Sequence, residues 1–104
     1  MLMNESLLRE SLKAVVDPEL GIDIVNLGLV YGIDILENGK KVHVLMTLTT
    51  MGCPIFDMVA RQIKDAVQQD FPDVVDVDVE PTFSPAWNQN MMTEEGKDMA
   101  RYMF

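Results

Sequence analysis

The sequence predicts an α+β fold, a small layered helix/sheet domain in the order α-β-β-α-β-α with a three-stranded mixed sheet. Three observations carry that reading. Asn38-Gly39 lies between two segments of alternating apolar residues, the signature of a two-residue hairpin turn with positive φ at both positions. Val75, Val77 and Val79 alternate with Asp76, Asp78 and Glu80, as in a strand buried on one face. Residues 54–70 lie between these segments with apolar side chains at helical spacing. A helical crossover of that length lets the second and third strands run parallel.

The elements follow in order. Residues 4–16 read as a helix capped by Asn4, with Leu8, Leu12, Val15 and Val16 on one stripe and Leu7 beside it. Pro18 ends this segment, because the residue before a proline is pushed out of the helical region. Asp17-Pro18-Glu19 then forms a tight exit with two carboxylates close in sequence, Asp17 being suited to cap the turn. Ile22 to Val30, apolar but broken by Asp23, Asn26 and Gly28, reads as an ordered connection into a strand. If the Asn38-Gly39 turn is held fixed, Glu37 faces Lys40, Ile35 faces Val42, Ile33 faces Val44, Tyr31 faces Met46 and Leu29 faces Leu48. These residues give one apolar face. The same register sets His43 opposite Asp34 on the other face, as a cross-strand pair remote from the only cysteine.

In the second helix, Pro54 suits the first position and Ile55, Met58, Val59, Ile63, Ala66 and Val67 form the core stripe. Phe71-Pro72 closes it. The acidic residues of the third strand guard it against edge-to-edge pairing. Beyond it, Thr93 caps a last helix with Glu94 and Glu95 in its first turn. Met92, Met99 and Met103 share a stripe there, with Tyr102 and Phe104 alongside. This tail, which contains Trp87, has to pack either on the second sheet face, where Val30, Leu36 and Leu45 are otherwise wet, or on another chain.

The chain has 104 residues, of the size of one domain spanning residues 1–104. Seventeen acidic against eight basic residues give a net charge of −9, and no Lys/Arg cluster stands out. A phosphate-binding surface needs such a cluster, so nucleic acid and anionic membranes are poor partners. The absence of a spanning apolar run and of a basic-then-apolar leader gives a cytoplasmic expectation. A single cysteine agrees with a reducing compartment.

That cysteine lies in Thr49-Thr50-Met51-Gly52-Cys53-Pro54, where a strand pattern passes into a helix pattern. Free amide hydrogens and the helix dipole at such a point stabilise a thiolate, which is a nucleophile and a soft-metal ligand. The competing reading is a buried, inert cysteine. A Cys/His hydrolase needs a base beside the thiol, and the sole histidine is placed elsewhere. A disulfide oxidoreductase usually has a resolving cysteine in the same chain, which is lacking. Metal or cluster handling remains, but clusters generally take four ligands. Cys53 therefore works transiently, with Asp17 or Glu19 as oxygen ligands, across a homodimer, or with a partner's cysteines.

Val16-Asp17-Pro18-Glu19, Ile24-Val25-Asn26-Leu27-Gly28-Leu29-Val30-Tyr31, Met46 to Pro54, and Pro85-Ala86-Trp87 followed by Met92-Thr93 occur together in one order. In these stretches the chain resembles the SufT/PaaD family of iron–sulfur cluster assembly domains, and the likeness spans nearly the whole sequence. The cysteine-rich C-terminal extension usual in the PaaD branch is missing, which points to the short SufT-like branch. The resemblance implies an α+β fold and a role in maturing iron–sulfur proteins. It implies a reactive Cys53 with Asp17 near it, and Glu19 and Thr50 belonging to the same site. The expected function is a non-enzymatic carrier or adaptor, with Cys53 as a transient ligand of iron or of an iron–sulfur cluster. Its expected partners are assembly scaffold or carrier proteins and apoprotein clients. The alternatives are an interaction adaptor in which Cys53 is structural, and a cysteine-dependent enzyme.

Overall fold

The computed structural model describes residues 4–17, 20–48 and 53–101. The first helix, α1 (Glu5–Leu12), starts where the Asn4 side chain accepts the Leu7 N–H at 2.9 Å. It stops short of residue 16. The Val15 carbonyl accepts the Ile24 N–H, and Val16 forms a β-bridge with Asp23 instead of continuing the helix. Val15 is buried as expected, but Val16 is 43% exposed and leaves the core stripe. The connection that follows contains one turn of helix, α2 (Ile24–Leu27). The Asp23 carboxylate caps its start, and Gly28 ends it in the left-handed region at φ 79°. A single turn is too short to show helical periodicity, so the sequence marks this segment only as ordered.

Strands β1 (Val30–Leu36) and β2 (Lys41–Met46) pair antiparallel, and β2 pairs parallel with β3 (Asp76–Pro81), giving the sheet order β1-β2-β3. At the turn Asn38 and Gly39 both have positive φ, and the Lys40 N–H donates to the Glu37 carbonyl at 3.2 Å. The register holds from Leu36↔Lys41 through Ile35↔Val42, Asp34↔His43 and Ile33↔Val44 to Gly32↔Leu45. It then shifts, and Val30, not Tyr31, is the partner of Met46. The extra residue of this bulge, Tyr31, sends its hydroxyl to the Pro85 carbonyl at 2.8 Å. The shift moves Val30 onto the helix-covered face, where it is buried, while Leu36 stays wet.

Helix α3 (Cys53–Asp70) links the parallel strands and packs Val59, Ile63 and Val67 into the core with Leu8, Leu12, Val42, Val44 and Met46. Met58 lies outside this stripe and is exposed. At β3 Val77 is buried and Val79 packs against the core, as the alternation predicts, whereas Val75 is exposed and Val74, just before the strand, is buried in its place, with the Val75 N–H donated to the Lys40 carbonyl.

The last helix, α4 (Glu94–Arg101), is capped by Thr93, whose hydroxyl accepts the Gly96 N–H at 3.0 Å. The tail closes on its own chain, since Met92 and Ala100 belong to the core and Trp87 and Met99 pack against it. Tyr102, Met103 and Phe104 lie outside the described residues.

Candidate functional site around the β2–α3 junction

Strand β2 ends at Met46 and is followed by Thr47 and Leu48, both buried, and Cys53 is the first residue of α3. The expected junction of strand and helix at the cysteine is therefore present. Thr50 and Glu19 lie outside the described residues. Asp17 is described, and it is almost wholly buried at 2% exposure. Its carboxylate accepts the Leu20 N–H at 3.1 Å and its carbonyl accepts the Gly21 N–H at 2.8 Å. Asp17 thus organises the turn, as the sequence suggests, and holds a carboxylate largely out of water.

A run of main-chain hydrogen bonds joins this turn to the end of β2. The Thr47 N–H donates to the Leu29 carbonyl at 2.8 Å, Leu29 N–H to Ile24 at 3.0 Å, and Ile24 N–H to Val15 at 3.0 Å. Asp17 N–H in turn donates to the Ile22 carbonyl at 3.0 Å. Helix α2 is therefore the hub through which the Asp17 turn and the approach to Cys53 are held in one frame.

The tail fastens the same hub from outside. Trp87 Nε1 donates to the Leu27 carbonyl at 2.7 Å. The Thr93 hydroxyl donates to Asn26 Oδ1 at 2.7 Å, and the Thr93 N–H donates to the Asn26 carbonyl at 2.9 Å. Asn26 completes its bonding through Nδ2 to the Asp23 carboxylate at 2.7 Å. Sequence reasoning singled out Asn26, Trp87 and Thr93 without pairing them. The available signal was a buried amide in an apolar run together with two polar-tipped residues needing acceptors.

His43 stands apart from this junction. It faces Asp34 as expected, with Nδ1 3.6 Å from that carboxylate. The in-register parallel pairing with β3 also sets Nε2 3.2 Å from Glu80 and 3.8 Å from Asp78. All three carboxylates are largely solvated, so each pairing contributes little, at most about 1 kcal/mol. Among the described residues no group of three or more His, Cys, Asp or Glu side chains could hold a metal ion. A lone thiolate at the start of a helix can attack an electrophile or serve as one ligand among several, but it cannot enclose a cluster.

The fold is shared with a solved structure, and the sequence is similar to two named proteins. The crystal structure of a domain of unknown function from Bacillus anthracis superposes with a TM-score of 0.83 at 37% identity, covering 90% of this chain and 88% of that one. The sequence is 46% identical over 87 residues to the Fe-S protein maturation auxiliary factor YitW of Bacillus subtilis, covering 84% of this chain and 83% of the relative. It is also 46% identical over 83 residues to the Fe-S protein maturation auxiliary factor SufT of Staphylococcus aureus, covering 80% and 92% respectively. Residues 5–83 match the iron–sulfur cluster assembly protein family, and the chain belongs to it.

Proposed function

We propose that this chain is a maturation factor that helps to deliver iron–sulfur clusters to apoproteins, with Cys53 as a transient ligand or exchange thiol. Membership in the assembly family and the likeness to two maturation auxiliary factors support the general role. The observation that carries the finer reading is the position of the only cysteine at the start of α3, just beyond the buried end of β2. Asp17 supplies a carboxylate from the turn held to α2, and Glu19 and Thr50 are assigned to the same site from the sequence.

The cluster is cargo in this reading, and the role is that of a helper, not an enzyme. One thiolate needs further ligands, and assembly scaffolds, carriers and apoprotein clients bring cysteines of their own. A second copy of the chain would supply one more. The protein works as one unit over residues 1–104 and acts in the cytoplasm. Among the described residues, no helix is long and apolar enough to cross a membrane. The rival in which the Met/Trp tail docks a client loses its anchor, because Trp87 is bonded to Leu27 and Met92 is buried in the chain's own core.

Anaerobic reconstitution with ferrous iron and sulfide, followed by visible absorbance, tests the transient role. The purified chain is expected to retain no stoichiometric cluster through desalting. Adding a cysteine-bearing scaffold should give a labile absorbance that Cys53→Ala reduces. A stable, stoichiometric cluster on the chain alone would refute transient ligation.

A further inference from the structure

A cavity of about 440 Å³ lies between a short 3₁₀ turn of the tail (Gln89–Met91) and α4. Its walls are held in advance of any ligand. The Met91 main chain lies against Gly28, and Thr93 caps α4 while bonding Asn26, so turn and helix are both fixed to α2. Gln89, Asn90, Met92, Lys97, Ala100 and Arg101 line the cavity. Met92 and Ala100 belong to the core and give it an apolar floor. The other four side chains carry hydrogen-bond donors: an ammonium, a guanidinium and two amides. Acidic residues outnumber basic ones seventeen to eight in the chain, yet no carboxylate is among the described lining residues.

Lys97 and Arg101 are one helical turn apart on the same face of α4. Each touches a carboxylate of its own helix, Lys97 at 3.9 Å from Glu94 and Arg101 at 3.4 Å from Asp98. Both carboxylates are largely solvated, and pairs of that kind are weak, so either cation can turn to an anion in the cavity. The volume is roughly fifteen times the share of liquid occupied by one water molecule and falls within the range of small-molecule sites. We propose that this cavity binds a small organic acid carrying at least two carboxylates. Arg101 takes one carboxylate on its planar fork, and Lys97 pairs with the other as a point charge. The amides of Gln89 and Asn90 donate to the remaining oxygens, and the carbon chain rests on Met92 and Ala100. A monocarboxylate satisfies only one of the two cations, and a bare inorganic anion leaves the apolar floor wet. The bound acid bridges the 3₁₀ turn and α4, and so tightens the tail on α2. None of this depends on the role of Cys53.

The test titrates the full-length protein at neutral pH with citrate, acetate and inorganic phosphate, followed by nitrogen–proton correlation spectra and by thermal denaturation. With a net charge of −9 the chain responds to any added salt by screening, so sodium chloride at matched ionic strength is the reference. Citrate is expected to give saturable shifts centred on residues 89–101, the side-chain amides of Gln89 and Asn90 included, and to raise the melting temperature above the reference. Acetate and phosphate should bind at least about tenfold more weakly. The double variant Lys97→Gln, Arg101→Gln should lose about tenfold or more in citrate affinity. Its melting temperature without ligand should stay close to that of wild type, because both side chains are partly solvated. Shifts scattered over the surface, or matched by sodium chloride, would mean screening alone. Phosphate binding as tightly as citrate would mean that the cavity reads charge and not paired carboxylates. Undiminished citrate affinity in the double variant would remove the two cations from the site. Each of these results overturns the proposal, and the wild-type shift map decides it even if the double variant fails to fold.

Discussion

Gly28→Ala is expected to remove a large share of the protein's stability. Gly28 ends α2 at φ 79°, and a Cβ built there falls onto the main-chain carbonyl of Met91. The left-handed conformation alone costs a residue with a side chain about 1–2 kcal/mol. Forcing apart two close-packed backbones adds about 1–3 kcal/mol, and backbone cannot swing away as a flexible side chain can. The combined loss, roughly 2–5 kcal/mol, is a large share of the 5–15 kcal/mol typical of a folded domain. A urea titration should show the midpoint falling accordingly, with the slope kept if unfolding remains two-state. A midpoint within error of wild type would mean that the tail does not lie against α2.

Asn26→Ala should have the next largest effect, about 2–4 kcal/mol. The substitution removes the amide donor to Asp23 and the acceptor for the Thr93 hydroxyl, so a buried carboxylate and a helix cap both lose a partner. The Thr93 N–H keeps its bond to the residue 26 carbonyl, so the tail is loosened without being released. Hydrogen exchange should accordingly rise most in α4 and in α2. An increase spread evenly over β2 and α3 would indicate that Asn26 acts through general stability and not as the link between α2 and the tail.

Both variants lie in the stretch Ile24 to Tyr31, part of the sequence likeness to the assembly family. The structure gives that stretch a mechanical meaning. It provides a capped turn of helix, a glycine that admits the tail, and carbonyls that receive Trp87, Thr93 and Thr47. The chemistry is expected at the neighbouring β2–α3 junction, while this stretch holds the Asp17 turn in register with it.

Much of the architecture was legible because each strand and the long helix carry their own periodicity. Asn38-Gly39 set the hairpin register correctly as far as Gly32↔Leu45. The bulge was not legible, since Val30 and Tyr31 are both compatible with a buried strand position and alternation cannot tell which one is extra. Val74 and Val75 posed the same ambiguity, and the main chain resolved it by donating the Val75 N–H to Lys40. Met58 shows the limit of a helical wheel, because a residue at the margin of the stripe is buried only if a neighbour reaches it. In the site, the placement of Cys53 and the turn-forming role of Asp17 could be read directly. The tail's destination was hidden, since it depends on long-range acceptors in α2.

The central claim is that this assembly-family chain acts through its one thiol. The most direct measurement is the activity of iron–sulfur enzymes in cells whose own copy is replaced by Cys53→Ala, accumulated to the same level as wild type, with Trp87→Phe as the control. Trp87→Phe removes only the bond to Leu27 and should leave maturation near normal once accumulation is matched. Cys53→Ala is expected to lower client activity to that of cells lacking the protein, with apoprotein levels unchanged. Full client activity in the Cys53→Ala strain would contradict the account.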